Sequence, residues 1–296
     1  MKNLNKAFKI LSLGFLFIAC DTTDERMIYN ESKEPSTNLD ADSIVALYQK
    51  KYDKEGKVNI GELSRKLYIA DTNNNDFAMQ YVSCLLANLK VEPALEICNR
   101  VIAKDTNYSQ GYWNKGLCYM FLEKRDSGYI YFSKAIGKNA NWYYYYWRAR
   151  HFESDSLYDK ALSDINEVIK QRPNDSDFVL FRGKYRNFTG DYAGGLRDLK
   201  NIPMDKVNDP YVYNAIAYSY LFLKEPNKAI EFANRALFID PSLAEAIGIR
   251  AAAKSNLGLY EESLADLKKC ADMGNWECQV NYKKMKEALD NRGTHL

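Results

Sequence analysis

The stretch 210–270 writes one pattern and then repeats it 34 residues later, and that period narrows the folds open to this 296-residue chain more than any other feature. In the first copy Tyr213, Ile216, Ala217, Tyr220 and Leu223 are followed by Ala229, Phe232, Ala233, Ala236 and Pro241. Shifted by 34, the same slots hold Ile247, Arg250, Ala251, Lys254, Leu257, Ser263, Asp266, Leu267, Cys270 and Asn275. Large apolar residues at helical spacing make a core stripe, while small residues at the eighth, twentieth and twenty-seventh slots let two helices cross closely. A period of this length marks stacked helical units that each touch only their neighbours, so one elongated array is expected rather than two ordinary domains.

Two turn segments carry a family resemblance. Leu223-Lys-Glu-Pro-Asn-Lys-Ala229 and Leu257-Gly-Leu-Tyr-Glu-Glu-Ser263 resemble the turn between helix A and helix B of the tetratricopeptide repeat, and Ile239-Asp240-Pro241 resembles its helix-B exit. The resemblance implies an all-α solenoid, a right-handed superhelix of helix A/helix B pairs with about seven repeats over 41–274, starting near 41, 75, 109, 142, 176, 210 and 244. The first repeat is divergent, with Leu63 and Leu67 on its second stripe, and the fifth is cut short by Pro203, which cannot continue a helix. Segment 275–296 should close the array: Tyr282, Met285 and Leu289 share one face, polar residues take the others, and 291–296 should fray.

The first forty residues read differently. Lys2, Lys6 and Lys9 precede an apolar run at 10–18 that is too short to span a bilayer, which is the plan of an export signal over 1–19. Phe17-Ile18-Ala19-Cys20 resembles the bacterial lipobox, with Phe17 where Leu is usual, and the resemblance implies lipidation at Cys20. Segment 20–40 is polar and should be a flexible tether. Its Asp21 and Glu25 resemble surface-export signals of some Bacteroidetes lipoproteins, whereas Asp21 alone resembles the inner-membrane retention signal of enteric bacteria. The expectation is an exported protein anchored by lipid to the cell envelope, at the outer membrane, on its periplasmic or surface side.

Comparing repeats within the chain shows two slots that change together. The seventh is Arg148, Arg182 and Arg250 in repeats four, five and seven, and the twenty-third is then Asp164, Asp198 and Asp266. Elsewhere the same slots hold Tyr81 with Ile97, Lys115 with Tyr131, and Ile216 with Phe232. Matched change implies contact between helix A and helix B, and the planar Arg fork suits a carboxylate. These are structural pairs.

No catalytic constellation is present in the sequence. There are two histidines, His151 and His295, no metal-ligand spacing and no glycine-rich phosphate loop, so neither an enzyme nor a cofactor or metal is expected. Lys plus Arg number 41 against 39 Asp plus Glu, which gives no reason to expect nucleic acid as partner. The aromatic content points elsewhere. In the family that the chain resembles, slots two, five, six, nine, twelve and thirteen of helix A face a concave groove. Those slots bring Trp113, Met120 and Phe121 from repeat three, and Tyr143, Tyr146, Trp147 and Arg150 from repeat four. Repeats five and six add Leu180, Phe181, Lys184, Phe188, Tyr211, Tyr218 and Phe222. Residues 142–147 are six consecutive aromatics, more than one helix face can bury, and Tyr145 falls on the core stripe. A protein segment or helix of an envelope protein is the expected partner, with the membrane met through the lipid anchor only. Glycan or nutrient capture by a surface lipoprotein is the alternative, since aromatic platforms also stack on sugars. Cys270 and Cys278 fall on either side of a turn, where geometry decides whether a disulfide forms, while Cys84, Cys98 and Cys118 are an odd set.

Overall fold

The computed structural model describes residues 40–55, 59–203 and 208–293; the expected export signal, Cys20 and all of the expected tether before Asp40 lie outside the described residues. Among the described residues the chain forms fifteen helices and no strand. Seven pairs follow one another: α1 (Ala41–Glu55) with α2 (Ile60–Ala70), α3 (Asn75–Ala87) with α4 (Val91–Lys104), α5 (Ser109–Phe121) with α6 (Arg125–Lys138), and α7 (Trp142–Ser154) with α8 (Tyr158–Gln171). Then come α9 (Ser176–Phe188) with α10 (Tyr192–Lys200), α11 (Pro210–Phe222) with α12 (Pro226–Ile239), and α13 (Ala244–Asn256) with α14 (Tyr260–Asp272). A last helix, α15 (Trp276–Gly293), starts two residues earlier than the sequence stripe suggests and runs on through Asn291. The described residues divide into two compact units, which part within α7 between Tyr144 and Tyr145. No described helix is long and apolar enough to cross a membrane.

One turn geometry ends the first helix of pairs two to seven. The residue at slot fifteen has positive φ every time: Leu89, Glu123, Ser156 and Lys224 at 57 to 60°, and Gly190 and Gly258 at 89 and 77°. In pair two Lys90 N–H donates to Leu85 O at 2.8 Å and Leu89 N–H to Leu86 O at 3.0 Å, the two bonds of a Schellman motif. The equivalent bonds recur in pair six, from Glu225 to Tyr220 O and from Lys224 to Leu221 O. Four of the six turns thus hold a side chain in the left-handed region, where an L-residue gives up about 1 kcal/mol that Gly does not. The start of the next pair is fixed by side-chain caps: Asn74, Asp175 and Asp209 each accept from a backbone N–H in the first turn of α3, α9 and α11.

Inside each pair the two helices meet at slots eight and twenty. In pair five both are glycine, and a Cβ on Gly195 would stand 2.8 Å from the Gly183 carbonyl and would overlap the Asn187 amide oxygen. Asn187 cannot yield, because its Nδ2 donates to Ala215 O at 3.0 Å and its Oδ1 accepts from Ser219 Oγ at 2.9 Å. In pair seven Ser263 uses the same approach to donate to Ala251 O at 2.7 Å. Close crossing here leads directly to packing: Leu199, Val212, Ile216 and Tyr220 are all buried in one core that runs from pair five into pair six.

Urea denaturation of two variants separates these effects. Gly195→Ala should lose about 1–3 kcal/mol of unfolding free energy through overpacking, whereas Lys224→Gly should be neutral or gain up to about 1 kcal/mol by relieving positive φ.

Candidate functional site

The chemistry of the site starts from the residues that lock each pair. In the second unit Arg148 Nε and Nη2 both stand 2.7 Å from the two Asp164 oxygens, a bidentate fork. Arg182 grips Asp198 in the same way at 2.8 and 2.7 Å, and Arg250 grips Asp266 at 2.8 and 2.6 Å. All three carboxylates are buried. Other pairs fill the same two slots with different chemistry: Lys115 Nζ lies 4.5 Å from the Tyr131 ring centre, and Ile216 and Phe232 share one apolar cluster, as do Tyr81 and Ile97. The slots are one interface, so these residues position helices and are not offered to a ligand.

Burial and neighbours set the carboxylates apart. Burial raises the pKa of Asp164 above the ordinary value, outweighing its Arg148 hydrogen bond. Burial also pushes Asp266 up, yet hydrogen bonds from Arg250 and from Lys254, the latter at 2.9 Å, together outweigh it and leave the carboxyl below the ordinary value.

Aromatic rings of the second unit form a connected run. Tyr146 packs on Trp147 at 5.3 Å, on Phe178 at 5.3 Å and on Phe181 at 5.7 Å. Phe181 continues to Tyr185 at 6.2 Å and Tyr185 to Tyr158 at 6.5 Å. From there two equivalent stacks repeat. Tyr158, opening α8, lies 4.5 Å from Phe188, closing α9; Tyr192, opening α10, lies 4.8 Å from Phe222, closing α11. Tyr218 joins them, 5.9 Å from Phe188 and 4.6 Å from Phe222. Phe188 and Phe222 remain 43% and 45% exposed, so this end of the run meets solvent. Burial raises the pKa of Tyr146, Tyr185 and Tyr218, with Glu153 adding to the rise at Tyr185, so these phenols stay neutral near neutral pH.

A charged cluster borders the rings. Glu153 accepts from Arg150 at 2.9 Å, from the Tyr185 hydroxyl at 3.0 Å, and stands 3.7 Å from Lys184 Nζ. Arg150 and Lys184 also lie over the Phe181 ring at 4.9 and 5.8 Å. Both cations of the expected groove, Arg150 and Lys184, therefore meet an anion of the chain itself. Tyr211, at the first turn of α11, is 54% exposed.

Two expectations are corrected by where the side chains lie. Trp113 is 6% exposed, its ring 4.2 Å from Phe132 and 5.1 Å from Tyr144, so it belongs to the core and not to a groove. Within the six-aromatic run the core position is taken by Tyr144, which is buried, and Tyr145 is only half-buried. Phe121 is exposed, and Tyr143 is half-buried with its ring edge-on to Trp142 and Tyr144. Sequence slots on helix A alone missed Tyr158, Tyr185, Tyr192 and Glu153. The signal for two of them was present: Tyr158 with Phe188 and Tyr192 with Phe222 repeat the same aromatic pair at a period of 34. Cys270 and Cys278 form a disulfide with Cα atoms 5.7 Å apart, tying α14 to α15. Among the described residues no cluster of three His, Cys, Asp or Glu side chains stands ready for a metal.

Comparison with known proteins agrees with this architecture. Residues 210–243 match the tetratricopeptide repeat family model. A tetratricopeptide repeat protein from Parabacteroides merdae superposes with a TM-score of 0.56 at 15% identity, covering 83% of this chain and 98% of that one. YrrB, a TPR protein with an unusual peptide-binding site, gives 0.54 at 16% identity over 63% of this chain and 97% of its own. PilW, a widely conserved type IV pilus biogenesis factor, gives 0.55 at 11% identity, covering 70% and 97%. Comparison with curated proteins gives no match in sequence. At these identities the likeness is one of fold, and the fold is that of a tetratricopeptide α-solenoid built from successive helix pairs.

The two carboxylates make opposite contributions to acid stability. Asp266, with its lowered folded pKa, adds stability above its unfolded value near 3.8 that disappears as pH falls through the folded value. Asp164, with its raised value, favours the folded state at lower pH and loses that contribution as pH rises through its folded value. In urea titrations between about pH 2 and 5, Asp266→Asn should flatten the rise of stability with pH and Asp164→Asn should steepen it.

Proposed function

We propose that this protein is a lipid-anchored scaffold of the cell envelope that captures a segment or helix of a protein partner on the aromatic face of its second unit. The observation that carries the reading is the ring run from Trp147 to Phe222, which ends in two stacks whose phenylalanines are 43% and 45% exposed. Neutral phenols beside exposed phenylalanines offer apolar area with hydrogen-bonding edges, a composition suited to protein contacts. The Arg150, Glu153 and Lys184 cluster supplies polar contact of both signs at the border. YrrB, with the same fold, has a peptide-binding site, which is in keeping with this use of the architecture. Export and anchoring at Cys20 are supported by Phe17-Ile18-Ala19-Cys20 and by the Cys270–Cys278 disulfide, a bond that persists in oxidising compartments.

The test uses the full chain recovered from detergent-solubilised envelope together with its co-purifying proteins. Phe188→Ala with Phe222→Ala should reduce capture of a specific protein by roughly 30-fold or more, by the usual cost of about 2 kcal/mol for a hot-spot truncation, while helical content by circular dichroism is unchanged. Undiminished capture by the folded double variant would overturn the assignment of this face. Retention of glycans without any protein would favour the nutrient-capture reading instead.

A further inference from the structure

The seam between successive pairs is made at two slots, the twenty-fourth of one pair and the tenth of the next. Across the second unit these positions are Ile165 with Tyr185, Leu199 with Ser219, and Ala233 with Ala253, every one fully buried. In the first unit the junction of pairs one and two holds Ser64 and Cys84, whose Oγ and Sγ are 3.5 Å apart at a separation of 20 residues. The junction of pairs two and three places Cys98 and Cys118 in the same two slots, again 20 residues apart. Both are completely buried and belong to one core cluster with Val82, Ala94 and Val101. In the structure both are free thiols whose side chains meet across this seam.

We propose that Cys98 and Cys118 are joined by a second disulfide in the mature protein, stapling α4 of pair two to α5 of pair three. The inference rests on the exported reading above, because it needs the oxidising compartment that the Cys270–Cys278 bond also requires. The reaction is thiol–disulfide exchange with a protein or small-molecule disulfide as oxidant. One cysteine, as thiolate, attacks an oxidant sulfur, forming a mixed disulfide and releasing one oxidant thiolate. The second cysteine then attacks the first Sγ, releasing the other oxidant thiolate, so two thiol protons and two electrons leave the protein for each bond formed. Exchange takes place before the two pairs dock. Once they have docked, contact with Cys118 and burial push the Cys98 thiol pKa up, and a buried thiol of this kind does not react. The bond closes a short loop that contains the α4–α5 turn and would hold the first unit as Cys270–Cys278 holds α15.

The experiment is alkylation of the full chain, purified after export, in denaturant without reductant, followed by peptide mapping by mass spectrometry. The expected result is a Cys98–Cys118 cross-linked peptide and a Cys270–Cys278 cross-linked peptide, with both links retained in a Cys84→Ala variant. Alkylated Cys98 and Cys118 beside an intact Cys270–Cys278 link would overturn this inference and leave the exported reading standing. A link from Cys84 to either residue would also overturn it. Alkylation of all four cysteines would overturn the exported reading and this inference with it.

Discussion

The contact between the seventh slot of one helix and the twenty-third slot of its partner fixes the register on which the other interfaces depend. Slots eight and twenty, one residue from the seventh and one helical turn from the twenty-third, can approach to backbone distance in pair five because Gly183 and Gly195 face one another. Shifting one helix by a single residue so that Leu196 stands where Gly195 does would drive its side chain into that crossing. The fork from Arg182 to Asp198 resists such a shift, since two hydrogen bonds of 2.8 and 2.7 Å are satisfied in one alignment only. Where the slots are apolar, as in Ile216 and Phe232, register comes from shape instead. One geometry is thus maintained by ion pair, cation–π contact and apolar packing in different pairs.

With register fixed locally, the surface is free to vary. The slot-thirteen and slot-seventeen rings, Phe188 and Phe222 with Tyr158 and Tyr192, sit at the ends of helices where the Schellman turns hold the chain direction constant from pair to pair. Equal turns place equal slots in equal positions, which is why two stacks with the same composition recur one repeat apart. Asn256, which follows the same slot into pair seven, ends the series. The stacked face is therefore a property of a few pairs of the second unit.

The fold was legible because its signals are local and repeated: small residues at fixed slots, Gly190 and Gly258 at the turn, and apolar stripes of helical period. The slot-seven and slot-twenty-three pairing could be read from matched exchange of residue types without any structure. Side-chain destinations on the aromatic helix were less legible. Six consecutive aromatics cannot be ordered by periodicity alone, since a small rotation of α7 decides whether Tyr144 or Tyr145 faces the core. Trp113 has a groove slot in sequence terms yet stacks on Phe132, whose ring lies in the space that Gly116 leaves open. Glu153 escaped notice because its role appears only when α7 and α9 lie side by side and Arg150, Lys184 and the Tyr185 hydroxyl converge on it.

The claim that one interface is expressed in interchangeable chemistry can be measured at pair four, where Phe152 and Tyr145 already flank the Arg148 guanidinium with apolar surface. Arg148→Ile alone should cost about 3 kcal/mol or more of unfolding free energy, because it leaves the buried Asp164 carboxylate without its partner. Adding Asp164→Phe, which copies the Ile216 and Phe232 solution of pair six, should restore stability to within about 1–2 kcal/mol of the natural protein, since a buried ion pair exchanged for apolar residues is often neutral. A double variant as unstable as the single one would contradict the account.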